Sequence, residues 1–125
     1  VIFKMRSQDV LYSAYMPHFR AQMNCVPGMI TAFAFVPNVT TEEIRQTEDM
    51  KAKVKKINAI RRENSKALIA NGEEALEPYV FDYLLLCNKI CGASHYNMQM
   101  KIIVETPEEF QKWMDDQQTF AEVIQ

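Results

Sequence analysis

A mainly β domain interrupted by a helical block is the architecture that this 125-residue sequence predicts. Three observations lead there. Apolar or alternating runs recur at 1–7, 29–36, 79–86 and 98–105, the lengths and patterns of strands. These runs lie in sequence-distant pieces without alternating helices, which favours an antiparallel sandwich over a parallel sheet. Two other stretches, at about 40–71 and about 107–121, carry helix signals instead. The expected class is therefore all-β (mainly β), with a helical insertion and a C-terminal helix.

Each element has its own justification. Residues 1–7 (VIFKMRS) alternate apolar and polar side chains, as a half-buried strand does. Residues 8–27 mix turn formers with aromatics and read as a long loop holding one short strand near 20–24. Pro27-Gly28 marks a turn, and 29–36 (MITAFAFV) is a β-branched and aromatic run between prolines. From 40 to 70 there is neither Gly nor Pro; Thr40 with Glu43 forms a capping box, and Asn71-Gly72 supplies the stop. The apolar positions Ile44, Met50, Val54, Ile57, Ile60 and Leu68 recur only loosely, so one helix or two should lie mostly exposed on the domain. Residues 79–86 and 98–105 complete the strands. Thr106, Pro107, Glu108 and Glu109 start the last helix, whose apolar face is Phe110, Trp113 and Met114, with Trp113 expected in the core.

Composition narrows the function classes. Apolar residues make up 48% and charged residues 24%, the profile of a globular domain. A net charge of -2 argues against nucleic-acid binding. The longest apolar runs, 29–37 and 80–87, fall far short of the roughly 20 residues that a membrane helix needs. Between Glu42 and Lys66, eight Lys or Arg face five Asp or Glu, a local net of +3 against -5 for the remainder. Three cysteines make no disulfide framework, and Cys25 reads as a small buried hydrophobe.

Chemistry concentrates between two strands, in Cys87-Asn-Lys-Ile-Cys91-Gly-Ala-Ser-His95-Tyr-Asn-Met98. Two thiols, an imidazole and a thioether within twelve residues form a ligand set suited to soft, redox-active copper. Zinc would accept Cys87, Cys91 and His95 but has little use for Met98. A single Cys with His and Met would suit a mononuclear blue-copper site. The second thiolate allows two copper ions to be bridged and to share one unpaired electron. Such a pair reorganises little and relays electrons without a substrate pocket.

The spacing Cys-x-x-x-Cys-x-x-x-His-x-x-Met resembles the CuA loop of cytochrome c oxidase subunit II. Upstream, Asp9-Val10-Leu11-Tyr12-Ser13, Pro17 and Val26-Pro27-Gly28 are similar to another stretch of that family, and 105–110 (ETPEEF) resembles its closing helix. The resemblance covers roughly two thirds of the chain, and 40–70 looks like an insertion that many members lack. It implies a cupredoxin-like Greek-key sandwich or barrel in which 1–125 is one CuA domain. It also implies a fragment of a membrane-anchored chain, without its N-terminal membrane helices and first strand or strands. Dinuclear copper would be bridged by Cys87 and Cys91, completed by His95 and Met98, and touched by the backbone carbonyl of Lys89.

Two positions depart from the family. Tyr12 stands where a histidine ligand is expected, and a phenol with a reference pKa near 10 is a poor substitute on soft copper. Three readings follow: a weak or single-copper site, rescue by His18 six residues on, or a copper-free domain as in the related quinol oxidases. Lys89 replaces a Glu whose side chain holds magnesium in many members, so no such site is expected here.

The resemblance implies electron transfer from cytochrome c to oxidase subunit I, at the extracytoplasmic (periplasmic) face of a bacterial plasma membrane. The chain would be an oxidoreductase subunit with no oxygen-reducing site of its own. A copper-free structural subunit and a copper-handling module are the alternatives. Asp9 is the first candidate for steering a basic cytochrome c, and Asp82 the second.

Overall fold

The computed structural model describes residues 1–123. Its strands are β1 (Ile2–Met5), β2 (Tyr12–Met16), β3 (Ala21–Cys25), β4 (Thr31–Ala34), β5 (Tyr83–Cys87) and β6 (Gln99–Ile102). Its helices are α1 (Thr41–Gln46), α2 (Glu48–Ala70), α3 (Pro107–Asp115) and α4 (Phe120–Val123). Four strands form a sheet in the order β3-β2-β5-β6, and β1 pairs with β4 in a second sheet of two. Every pairing between these strands is antiparallel.

Two strand-bearing layers and peripheral helices agree with a cupredoxin-like arrangement, but no sheet closes on itself among the described residues. Of the expected Greek-key sandwich or barrel, the described strands show two open antiparallel sheets. Within 8–27 the short strand expected near 20–24 forms as β3, while Tyr12–Met16, expected as loop, is its hairpin partner β2. YSAYM does not alternate, and its place in the sheet comes from long-range pairing of Ala14 with Cys87 and Tyr15 with Leu86. A 3-10 turn at Pro17–Phe19 joins the two strands. It closes where Arg20 takes φ 50° and its N–H donates to the Pro17 carbonyl at 3.1 Å.

The core is small and aromatic. Met16, Cys25, Phe81 and Tyr83 are buried, and the rings of His18 and Phe81 meet edge-on with centroids 5.0 Å apart. Phe19 sits between Phe35 at 4.9 Å and Tyr83 at 4.6 Å, and so joins the two sheets. Cys25 is the buried hydrophobe expected of it, with its Sγ 3.7 Å from the Met5 sulfur. The Pro27-Gly28 turn forms as expected: Met29 N–H donates to the Val26 carbonyl at 3.1 Å, and Gly28 takes the φ of +77° that a type II turn reserves for glycine.

The helical block starts and stops where its signals lie. Both hydrogen bonds of the Thr40–Glu43 capping box are present. Thr47, extended at φ -66° and ψ 143°, ends α1 and caps α2, so the block is two helices. Side chains of α2 then bind the backbone of 76–79. The Asn58 side-chain amide donates to the Tyr79 carbonyl at 3.0 Å and accepts from the Tyr79 N–H at 2.6 Å. Arg61 donates to the Glu77 carbonyl at 2.8 Å, and Ser65 Oγ accepts from the Leu76 N–H at 3.0 Å. Residues 79–82, expected to begin a strand, therefore face α1 and α2, and β5 starts at Tyr83. The C-terminal helix divides into α3 and α4, and Trp113 is a further correction. It stacks on Phe110 at 5.8 Å yet is 50% exposed, because α3 turns its apolar side outward.

Candidate metal centre

β5 ends at Cys87 and β6 begins at Gln99, so the sheet itself fixes both ends of the sulfur loop. Cys87 N–H donates to the Met98 carbonyl at 3.1 Å, and Asn88 N–H to the Ser13 carbonyl at 2.9 Å. A 3-10 turn at His95–Asn97 brings the chain back, with Met98 N–H donating to the His95 carbonyl at 3.3 Å.

This closure gathers the donors. Cys87 Sγ and Cys91 Sγ lie 3.3 Å apart, and both thiols are free. That separation is far beyond the roughly 2.05 Å of a disulfide bond. Cys91 Sγ is 3.1 Å from Met98 Sδ and 3.7 Å from His95 Nδ1. Cys87 Sγ is 3.2 Å from the Lys89 carbonyl oxygen. The ligand atoms of Cys87, Cys91 and His95 all fall within 4.8 Å of one another. Two thiols, an imidazole, a thioether and a carbonyl thus converge on a space the size of a metal ion, and this donor set fits copper.

The two thiols are electrostatically unequal. Burial pushes Cys87 up, but hydrogen bonds from the Lys89 backbone, Cys91, the Ser13 backbone and His95 bring it down to about 7. Burial and the neighbouring Cys87 raise Cys91. Without metal, the pair favours one thiolate beside one thiol. The thiolate is the form with metal-binding character, and Cys87 is the thiol of the pair that reaches it at the lower pH.

Tyr12 belongs to this neighbourhood. Its hydroxyl donates to Asp9 Oδ1 at 3.3 Å. Burial raises its pKa first, followed by Asp9 and the charges of Cys91 and Cys87. With Cys87, Met98 and Cys25 it lines an open groove of about 330 Å³. His18 lies elsewhere: it packs on Phe81 and Tyr83, with its pKa lowered by burial and then by Lys53. The group of close ligand atoms does not include it.

Asp82 is not the surface acid that steering would need. It is 8% exposed and binds Arg45 at 2.7 Å and Lys101 at 2.9 Å. Sequence reading missed this network, because Asp82 lies 37 residues from Arg45 and 19 from Lys101. It also missed that Ile90 and Tyr96 stand 88% and 90% exposed at the loop tip.

No family model matches the chain. Among curated proteins, the alternative cytochrome c oxidase subunit 2 of Bradyrhizobium diazoefficiens is 33% identical over 117 residues, covering 94% of this chain and 28% of that protein. Cytochrome c oxidase subunit 2 of Thermostichus vulcanus is 23% identical over 121 residues, covering 97% of this chain and 24% of that protein. Nearly all of this sequence is therefore aligned, whereas only about a quarter of each relative is. The chain is thus similar over nearly its whole length to a segment that makes up about a quarter of these cytochrome c oxidase subunit 2 proteins.

Proposed function

We propose that this chain is the CuA-type electron-relay domain of a haem-copper terminal oxidase, and so part of an oxidoreductase complex. The convergence of Cys87, Cys91, His95 and Met98 carries the reading. Cys87 and Cys91 present two sulfurs to a shared site, His95 and Met98 each supply one terminal donor, and Lys89 supplies its carbonyl. Bound dinuclear copper would provide a one-electron couple with little reorganisation. The protein holds the donors at the end of a sheet, which limits their movement when charge changes. Cytochrome c is the proposed donor and oxidase subunit I the proposed acceptor.

The same proposal places this domain on the extracytoplasmic (periplasmic) face of a bacterial plasma membrane, with the full-length chain anchored. No helix among the described residues is long and apolar enough to cross a membrane. Residues 1–125 would then act as one domain, with 40–71 inserted in it.

Tyr12 supports a second reading, in which the domain holds one copper or none and serves structurally. Its hydroxyl is engaged by Asp9, and a phenol donates poorly to soft copper. Copper loading followed by metal assay and paramagnetic resonance separates the two. Two coppers per chain with a mixed-valence hyperfine pattern is the expected result. One copper or none, restored to two by Tyr12→His, would replace the relay with a disabled site. Failure of Tyr12→His to restore copper would sink the CuA reading altogether.

A further inference from the structure

The feature that electron relay leaves unused is α2. It runs for 23 residues, about 34 Å at the helical rise, and its seven Lys or Arg against three Asp or Glu leave it at +4 in a chain of net -2. Between Asp49 and Glu63 there are six cations and no acid. Lys51 pairs with Glu48 and Lys66 with Glu63. Among the described residues, Lys53, Lys55, Lys56 and Arg62 have no carboxylate within 4.0 Å.

Helical spacing sorts these cations into two flanks. Lys51, Lys55, Arg62 and Lys66 run down one side and end at Ile69, 59% exposed; Lys53 and Lys56 lie on the other with Ile60, 55% exposed. Along the first flank, a groove of about 300 Å³ separates α2 from 79–81. Lys51 and Lys55 stand at its rim, and Val54, Val80 and Phe81 form its apolar wall. Arg45 also lines it but is already bound to Asp82 and to the Phe81 carbonyl.

We propose that the first flank of α2 binds a membrane surface containing anionic phospholipid, with headgroups on Lys55 and Arg62, between the paired Lys51 and Lys66, and an acyl segment in the groove beside Val80. Cations over an apolar wall complement a molecule with a phosphate at one end and hydrocarbon at the other. A free phosphate would use the cations and leave the groove empty. The proposal is independent of the metal reading, because none of its residues lies in the sulfur loop.

Flotation of the chain with vesicles tests it. Binding is expected to phosphatidylglycerol-containing vesicles and not to phosphatidylcholine alone, and it should disappear as salt rises. The combined variant Lys55→Glu and Arg62→Glu should lower partitioning by at least about twenty-five-fold, about fivefold per cation removed, whereas Lys53→Glu with Lys56→Glu, on the other flank, should lower it much less. Val80→Asp should lower it by about fivefold, with an unchanged unfolding midpoint showing that the fold is intact. Equal binding to neutral vesicles overturns the proposal, as does displacement by inorganic phosphate at constant ionic strength. Binding to immobilised polyglutamate with none to anionic vesicles would assign the face to an acidic protein and overturn it as well.

Discussion

The sulfur loop and the helical block both leave the sheet and return to it, but they are held by different means. Among the described residues the loop is tied to the sheet at its stem, by backbone bonds from Cys87 and Asn88, while Ile90 and Tyr96 at its tip face solvent. The helical block is tied along its length by polar side chains of α1 and α2 that reach the backbone of 76–81. In the loop, residue identity serves the site and local packing is slight. In the block, residue identity serves attachment, because its inward stripe is too polar to hold by apolar contact alone.

The largest effect that would break this contrast lies in the loop. Cys91→Ser should abolish copper binding, while the urea unfolding midpoint of the metal-free chain stays within error. A large loss of metal-free stability would mean that the loop is structural after all. Next comes the block's anchor. Arg45→Met leaves the buried Asp82 carboxylate with only the exposed Lys101 for company, and should cost about 3 kcal/mol by denaturant unfolding. Asn58→Ala removes both bonds to the Tyr79 backbone and should cost about 2 kcal/mol, with copper content unchanged.

The smallest effect concerns protonation, and it sharpens the loop's side of the comparison. The folded-state pKa of Cys87 is depressed to about 7, so its thiolate persists above that pH and is lost as pH falls through it. The stabilisation linked to this thiolate is present in full above the unfolded thiol value and fades as pH falls towards 7. Alkylation of the metal-free chain should therefore show a first thiol titrating near pH 7 and a second, Cys91, above the ordinary thiol range. A single titration at the ordinary value would contradict the asymmetric pair.

The same contrast explains what the sequence reveals. The loop is legible because its chemistry is local: four donor types within twelve residues need only a turn to bring them together. The start and stop of the helical block are legible for a similar reason, since caps act across three residues. The Asn58–Tyr79 and Arg45–Asp82 bonds are not, because either partner looks like an ordinary surface residue until the chain is folded. β2 escapes for the same cause: YSAYM becomes a central strand only through the neighbours that flank it. Trp113 misleads in the opposite direction. Its spacing with Phe110 announces an apolar face, but spacing does not say what that face meets.

The two-way bond between Asn58 and Tyr79 has a consequence for self-association. A primary amide that both gives to and takes from one residue's backbone reproduces the hydrogen-bond pair of a neighbouring β-strand. The segment leading into β5 is thereby occupied at Tyr79 by its own helix, and another chain adding a strand there would first have to displace Asn58. A single asparagine in a charged helix thus acts as a guard against edge-to-edge aggregation as well as an anchor.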